Sequence, residues 1–112
     1  MELSQLFKVQ MAFDRRLGWN RYEDCDTPEK VLGFMEHLVI VMVDELGEIA
    51  RIRKRALRDK QTLEMDSLKK ELVDIFIFLM QGCMALKMDL EREYLRRMES
   101  NKQRFLATRG VN

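Results

Sequence analysis

Two stretches decide the reading of this chain: Leu38-Val39-Ile40-Val41-Met42-Val43-Asp44-Glu45-Leu46-Gly47-Glu48 and Glu71-Leu72-Val73-Asp74-Ile75-Phe76-Ile77-Phe78-Leu79-Met80. Each joins a six-residue apolar block to two acids three residues apart. The β-branched and aromatic content of the second block would also suit a strand. Its flanks, Leu68-Lys69-Lys70-Glu71-Leu72 and Met84-Ala85-Leu86-Lys87, are strong helix formers with no turn signals between, so a helix is predicted over about 63–87. The first block falls within a helix predicted from Thr27-Pro28 to about Arg58, Thr27 capping it and Pro28 suiting its first turn. A helical segment that is apolar all round is expected to be covered on every side, by its own fold or by a second subunit.

Working outward, Leu3, Leu6, Phe7, Phe13 and Leu17 follow a 3.6-residue period and predict a first helix that ends at Gly18-Trp19-Asn20. Residues 20–27 are polar and read as a loop, and Asp59–Thr62 as a connection. Asp89 starts a fourth predicted helix to about Leu106, with Leu90, Tyr94, Leu95, Met98 and Phe105 inward, and 107–112 is read as a loose tail. The expectation is a single all-α domain of four helices over residues 1–112, with subunits associating through their apolar helices.

The composition agrees. The chain has 112 residues, 46% hydrophobic and 35% charged, which excludes a disordered chain. A net charge of +1 leaves no footprint for nucleic acid or a membrane surface. No apolar run is long enough to span a bilayer. Cys25 and Cys83 have neither metal-ligand nor disulfide-framework spacing. With no signal-peptide pattern at Met1-Glu2-Leu3-Ser4, a reduced, cytoplasmic setting is expected.

The acids carry the chemistry. Residues three apart share a helix face, so Glu45 with Glu48, and Glu71 with Asp74, can each aim two carboxylates at one place beside an apolar block. Carboxylates gathered in a half-buried space repel one another and lose hydration, so something positive must offset them. Oxygen-only ligands, without a neighbouring histidine or cysteine pair, favour Mg²⁺ or Mn²⁺. Gly47, between two glutamates in a helix interior, predicts close approach by a helix or a ligand. There is no Ser-His-Asp or Cys-His grouping and no glycine-rich phosphate loop; the one histidine, His37, reads as structural.

Glu45-Leu46-Gly47-Glu48 followed by Glu71-Leu72-Val73-Asp74 resembles the E-x-x-E…E-x-x-D signature of the MazG-like all-α nucleoside triphosphate pyrophosphohydrolases. Phe13-Asp14-Arg15-Arg16-Leu17-Gly18-Trp19 is similar to that family's first helix, and Arg97-Met98-Glu99-Ser100-Asn101-Lys102-Gln103-Arg104-Phe105 to its C-terminal helix. The resemblance implies a four-helix subunit forming a homodimer or homotetramer. It also implies Mg²⁺-dependent cleavage of a (deoxy)nucleoside triphosphate between the α and β phosphates, as nucleotide-pool cleaning. Carried over, Glu45, Glu48, Glu71 and Asp74 would bind the metal, with Glu45 or Glu48 also acting on the attacking water. Arg97, Asn101, Lys102 and Arg104 would lie near the phosphates, and Trp19 and Gln10 near the base. The chain departs from the pattern at Arg97, usually Lys, at Asp44, often a small residue, and at Arg55, where some pyrimidine-selective relatives carry Trp. Phosphoribosyl-ATP pyrophosphohydrolase and a non-catalytic helical dimerisation protein are the alternative readings.

Overall fold

The computed structural model describes residues 1–59 and 65–107. It contains four α-helices, α1 (Leu3–Leu17), α2 (Pro28–Asp59), α3 (Met65–Ala85) and α4 (Leu90–Asn101), and no strand among the described residues. The expected connection at 60–62 and the tail at 108–112 lie outside them. No described helix is long and apolar enough to cross a membrane.

The helix boundaries follow local chemistry. Glu2 and Gln5 form a reciprocal capping box at the start of α1, the Glu2 amide donating to Gln5 Oε1 at 2.7 Å. Gly18 ends that helix at φ 72°, a left-handed conformation that costs glycine nothing. The Thr27 hydroxyl accepts from the Lys30 amide at 3.2 Å, as expected of a cap to α2. Asp89 does the same for α4, accepting from the Arg92 amide at 3.2 Å.

The segment read as a polar loop holds one turn of 3₁₀ helix, Arg21–Asp24. It turns Tyr22 inward until only 1% of the residue is exposed. Tyr22 packs edge-on to Phe34, ring centroids 6.1 Å apart, and with Cys25, Leu38 and Ala85 forms the buried core. Sequence periodicity misses this anchor because a 3₁₀ turn four residues long has no repeat to detect.

The main packing is α2 against α3. Leu38 meets Gly82, and Glu45 meets Glu71 and Asp74, so the two helices run antiparallel. A Cβ on Gly82 would lie 3.0 Å from Leu38 Cδ1, whereas one on Gly47 would meet only the Arg51 side chain, at 3.7 Å. The expectation of a helix closing on Gly47 is therefore corrected: within the chain, Gly82 is the glycine that lets the helices come together.

One burial expectation is also corrected. Tyr94, Leu95, Met98 and Phe105 of the α4 segment are exposed, not inward, and α4 has no buried residue, because no other described element covers it. Of the apolar block in α2, only Leu38 is buried; Val39, Ile40 and Val43 are more than half exposed. The chain alone does not enclose that segment.

Candidate metal centre

On α2, Glu45 is half-buried at the end of the apolar block; on α3, Glu71 and Asp74 are half-buried at the start of theirs. The antiparallel pairing brings the three together, and one carboxylate oxygen from each lies within 4.8 Å of the others. This is the convergence that the two i, i+3 spacings predicted, made from three of the four acids. Glu48 turns aside and pairs with the Arg51 guanidinium one turn along α2.

The electrostatics of the triad are one-sided. The Glu45 carboxyl is pushed up from 4.5 to about 7, first by the hydrogen bond it shares with Glu71, then by burial, then by the charges of Glu71, Asp74 and Glu48. Among the described residues, every charge acting on it is negative. Glu71 Oε2 is buried with no hydrogen-bond partner. A buried carboxylate oxygen left without a donor costs more than the hydrogen bond it lacks. The donor set is oxygen only, which fits a hard divalent cation such as Mg²⁺ or Mn²⁺.

The expected substrate residues are distributed differently. Trp19 is 59% exposed, sits edge-on to Phe13 with centroids 6.0 Å apart, and lines a cavity of about 440 Å³ together with Phe34, His37, Phe78 and Gln81. Gln10 is half-buried, its amide donating to Asp14 Oδ1 at 2.9 Å. Arg97, Lys102 and Arg104 are exposed and Asn101 half-buried on α4 and the π-helical turn after it, Lys102–Leu106; the Arg104 guanidinium lies 5.0 Å over the Phe105 ring. Neither α4 nor the turn after it packs substantially on α2 or α3, the helices that carry the triad. The basic stretch Arg51–Arg58 is a charged, exposed helix end, with Arg58 paired to Asp59.

A second polar cluster escaped the sequence reading. Asp14 has no exposed surface, and it accepts hydrogen bonds from Tyr22 Oη at 2.8 Å and Gln81 Nε2 at 3.2 Å besides that from Gln10. The phenol proton is held more tightly than usual, by burial first and then by this carboxylate. A signal was present: Gln81 is the one polar residue in the run Ile75–Cys83, and an amide in so apolar a segment asks for a buried partner. No family model, curated protein or solved structure matches the chain.

Proposed function

We propose that this protein is a divalent-cation-dependent hydrolase that cuts a (deoxy)nucleoside triphosphate between its α and β phosphates, releasing the monophosphate and pyrophosphate. The observation that carries this reading is the Glu45–Glu71–Asp74 triad: three converging carboxylates, no offsetting positive charge acting on Glu45 among the described residues, and one buried oxygen without a donor. Such a cluster is relieved by a cation, and a cation held only by hard oxygens binds phosphate oxygens and water in its remaining positions.

In this proposal Glu45, Glu71 and Asp74 hold Mg²⁺, with Mn²⁺ a possible substitute. The ion would supply charge neutralisation on the phosphates and acidification of a bound water. Glu48, one turn from Glu45 and restrained by Arg51, is the carboxylate left to orient that water or take its proton. Trp19 is assigned to the base cavity. Arg97, Asn101, Lys102 and Arg104 complete a phosphate site only if a second copy or a movement of α4 brings them to the triad.

Two copies are part of the proposal. The chain exposes 9038 Å², where a folded monomer of 13.4 kDa exposes about 6,500 Å². Its radius of gyration is 17.8 Å, against about 13 Å for a compact domain of this length. The excess area is apolar in the right place. Met65, Leu72, Leu79 and Leu86 are exposed at seven-residue intervals along α3 and just past its end, and Leu32, Val39, Val43 and Leu46 form a matching stripe on α2. An excess of about 2,500 Å² suits an obligate homodimer or a homotetramer. Both cysteines are free and buried, in keeping with a reduced cytoplasmic setting.

The test is pyrophosphate release over a panel of canonical and damaged (deoxy)nucleoside triphosphates, with and without Mg²⁺, and phosphoribosyl-ATP as a comparator. Turnover that needs Mg²⁺ and is abolished in Asp74→Asn, with helical content unchanged, supports the reading. Activity that survives in both Asp74→Asn and Glu71→Gln rejects it.

A further inference from the structure

Asp14 needs an explanation. Among the described residues it is the charged side chain with no exposure at all, and the 3₁₀ turn and two helices converge on it. Oδ1 accepts from Gln10 Nε2 of α1, and Oδ2 accepts from Tyr22 Oη of the turn and from Gln81 Nε2 of α3. Well-packed apolar residues could fill such a place at least as favourably. What the carboxylate adds is orientation. A carboxylate only accepts, so the Gln81 amide is fixed with its NH₂ toward Asp14 and its carbonyl oxygen turned away. Among the described residues one N–H and the carbonyl oxygen of that amide are left to spend elsewhere, and Gln81 lines the cavity that holds Trp19, Phe34, His37 and Phe78.

The placement along α3 is informative. Glu71, Asp74, Phe78 and Gln81 are spaced 3, 4 and 3 residues apart and share one helix face. Gln81 lies two turns from Asp74, about 10.5 Å along the axis. The stripe therefore runs from two cation-binding carboxylates to an aromatic face to an oriented amide. A nucleotide presents the same order: phosphates, then a flat apolar ring, then a hydrogen-bonding edge.

We propose that Gln81, held in one orientation by Asp14, hydrogen-bonds the edge of the substrate's nucleobase while Trp19 and Phe78 contact the ring. Gln81 is then a specificity-determining residue, and Asp14 and Tyr22 are positioning residues that act through it. The proposal takes its substrate class from the triphosphate reading above, and adds that recognition depends on the base edge and not on the phosphates alone. An amide offering an acceptor beside a donor answers an edge with an N–H beside an acceptor. A methyl group on that edge removes the donor and adds bulk where the amide sits.

Trp19 is the single tryptophan of the chain, so its fluorescence reports on the cavity without any metal. The four ribonucleoside 5′-monophosphates, their Watson–Crick-edge methylated forms (such as 3-methyluridine 5′-monophosphate) and ribose 5-phosphate are titrated against the intact protein in EDTA. Saturable quenching by at least one monophosphate is expected, none by ribose 5-phosphate, and about tenfold or more weaker binding of the methylated form. Gln81→Leu and the near-isosteric Gln81→Met should bind the parent and methylated bases within about twofold of each other, and Asp14→Asn, which frees the amide to flip, should lose most of the discrimination. The two Gln81 variants guard against a folding defect in either. Quenching by ribose 5-phosphate equal to that of the monophosphates, or full discrimination retained in a folded Gln81 variant, overturns the proposal. The parent reading fails separately: base-dependent quenching with no Mg²⁺-dependent turnover sinks the hydrolase and leaves the base site. Turnover indifferent to the base does the reverse.

Discussion

Replacing Glu71 by Gln should make the metal-free protein more stable at pH 8 while removing its response to Mg²⁺. In the triad, Glu45 is lifted from 4.5 to about 7, with Glu71 the leading cause. Fully felt, a displacement of that size corresponds to roughly 3 kcal/mol. The group is only half-buried, so solvent screening reduces this, and about 1 kcal/mol is the expected loss of stability between pH 5 and pH 8. The sign follows from the direction. A carboxyl raised in the folded state contributes stability that is fully present below its unfolded value of 4.5 and is lost as pH climbs through about 7. Glu71→Gln removes a repelling charge at pH 8 and the acceptor of the protonated Glu45 at pH 5, so in EDTA its Tm should lie above that of the wild type at pH 8 and below it at pH 5, the two differences about 4 °C apart. Adding Mg²⁺ at ten times its Kd should stabilise the wild type by about 1.4 kcal/mol and leave the variant unchanged. Thermal unfolding by circular dichroism, at fixed protein concentration, measures both proteins in all three conditions. A variant that melts below the wild type at pH 8 without metal, or one that keeps the full Mg²⁺ shift, would refute the reasoning.

Three further outcomes follow from the packing. Gly82→Ala should destabilise by about 1 kcal/mol, because its Cβ would press on the buried Leu38, whereas Gly33→Ala, with open space around the new methyl, should stabilise by about as much; urea titration separates them. Tyr22→Phe removes a donor from the fully buried Asp14 and should cost about 2 kcal/mol by the same assay, with far-ultraviolet circular dichroism unchanged. Leu79→Lys places a charge on the exposed apolar stripe of α3 and should convert the associated species to monomer in sedimentation velocity; a wild type already monomeric at micromolar concentration would refute the proposed interface.

The helices were legible because their signals are local and periodic. Thr27-Pro28 and Asp89 mark helix starts by capping chemistry alone, and Gly18 marks an end. The convergence of Glu45, Glu71 and Asp74 was legible as well, since two i, i+3 pairs beside apolar blocks constrain a shared face. What escaped depends on contacts between distant parts of the chain. Nothing local to Asp14 says that Gln81, 67 residues away, will meet it, nor that Tyr22 will turn inward from a polar stretch. Glu48 carries the same spacing signal as its partner acids, yet its neighbour Arg51 on the same helix takes it away. For α4, an amphipathic pattern implied a buried face that the chain by itself does not provide.

The α4 segment closes with a widened turn, and that changes how its residues register. From Lys102 to Leu106 the backbone bonds reach five residues back instead of four, so each step sweeps a smaller arc than in a regular helix. Helical-wheel counting from Arg97 through Asn101 would align Arg104 with both; the looser winding leaves Arg104 lagging behind that line, with its guanidinium over Phe105. Arg97, Asn101 and Arg104, collinear on a regular wheel, thus leave the backbone at positions spread around the axis.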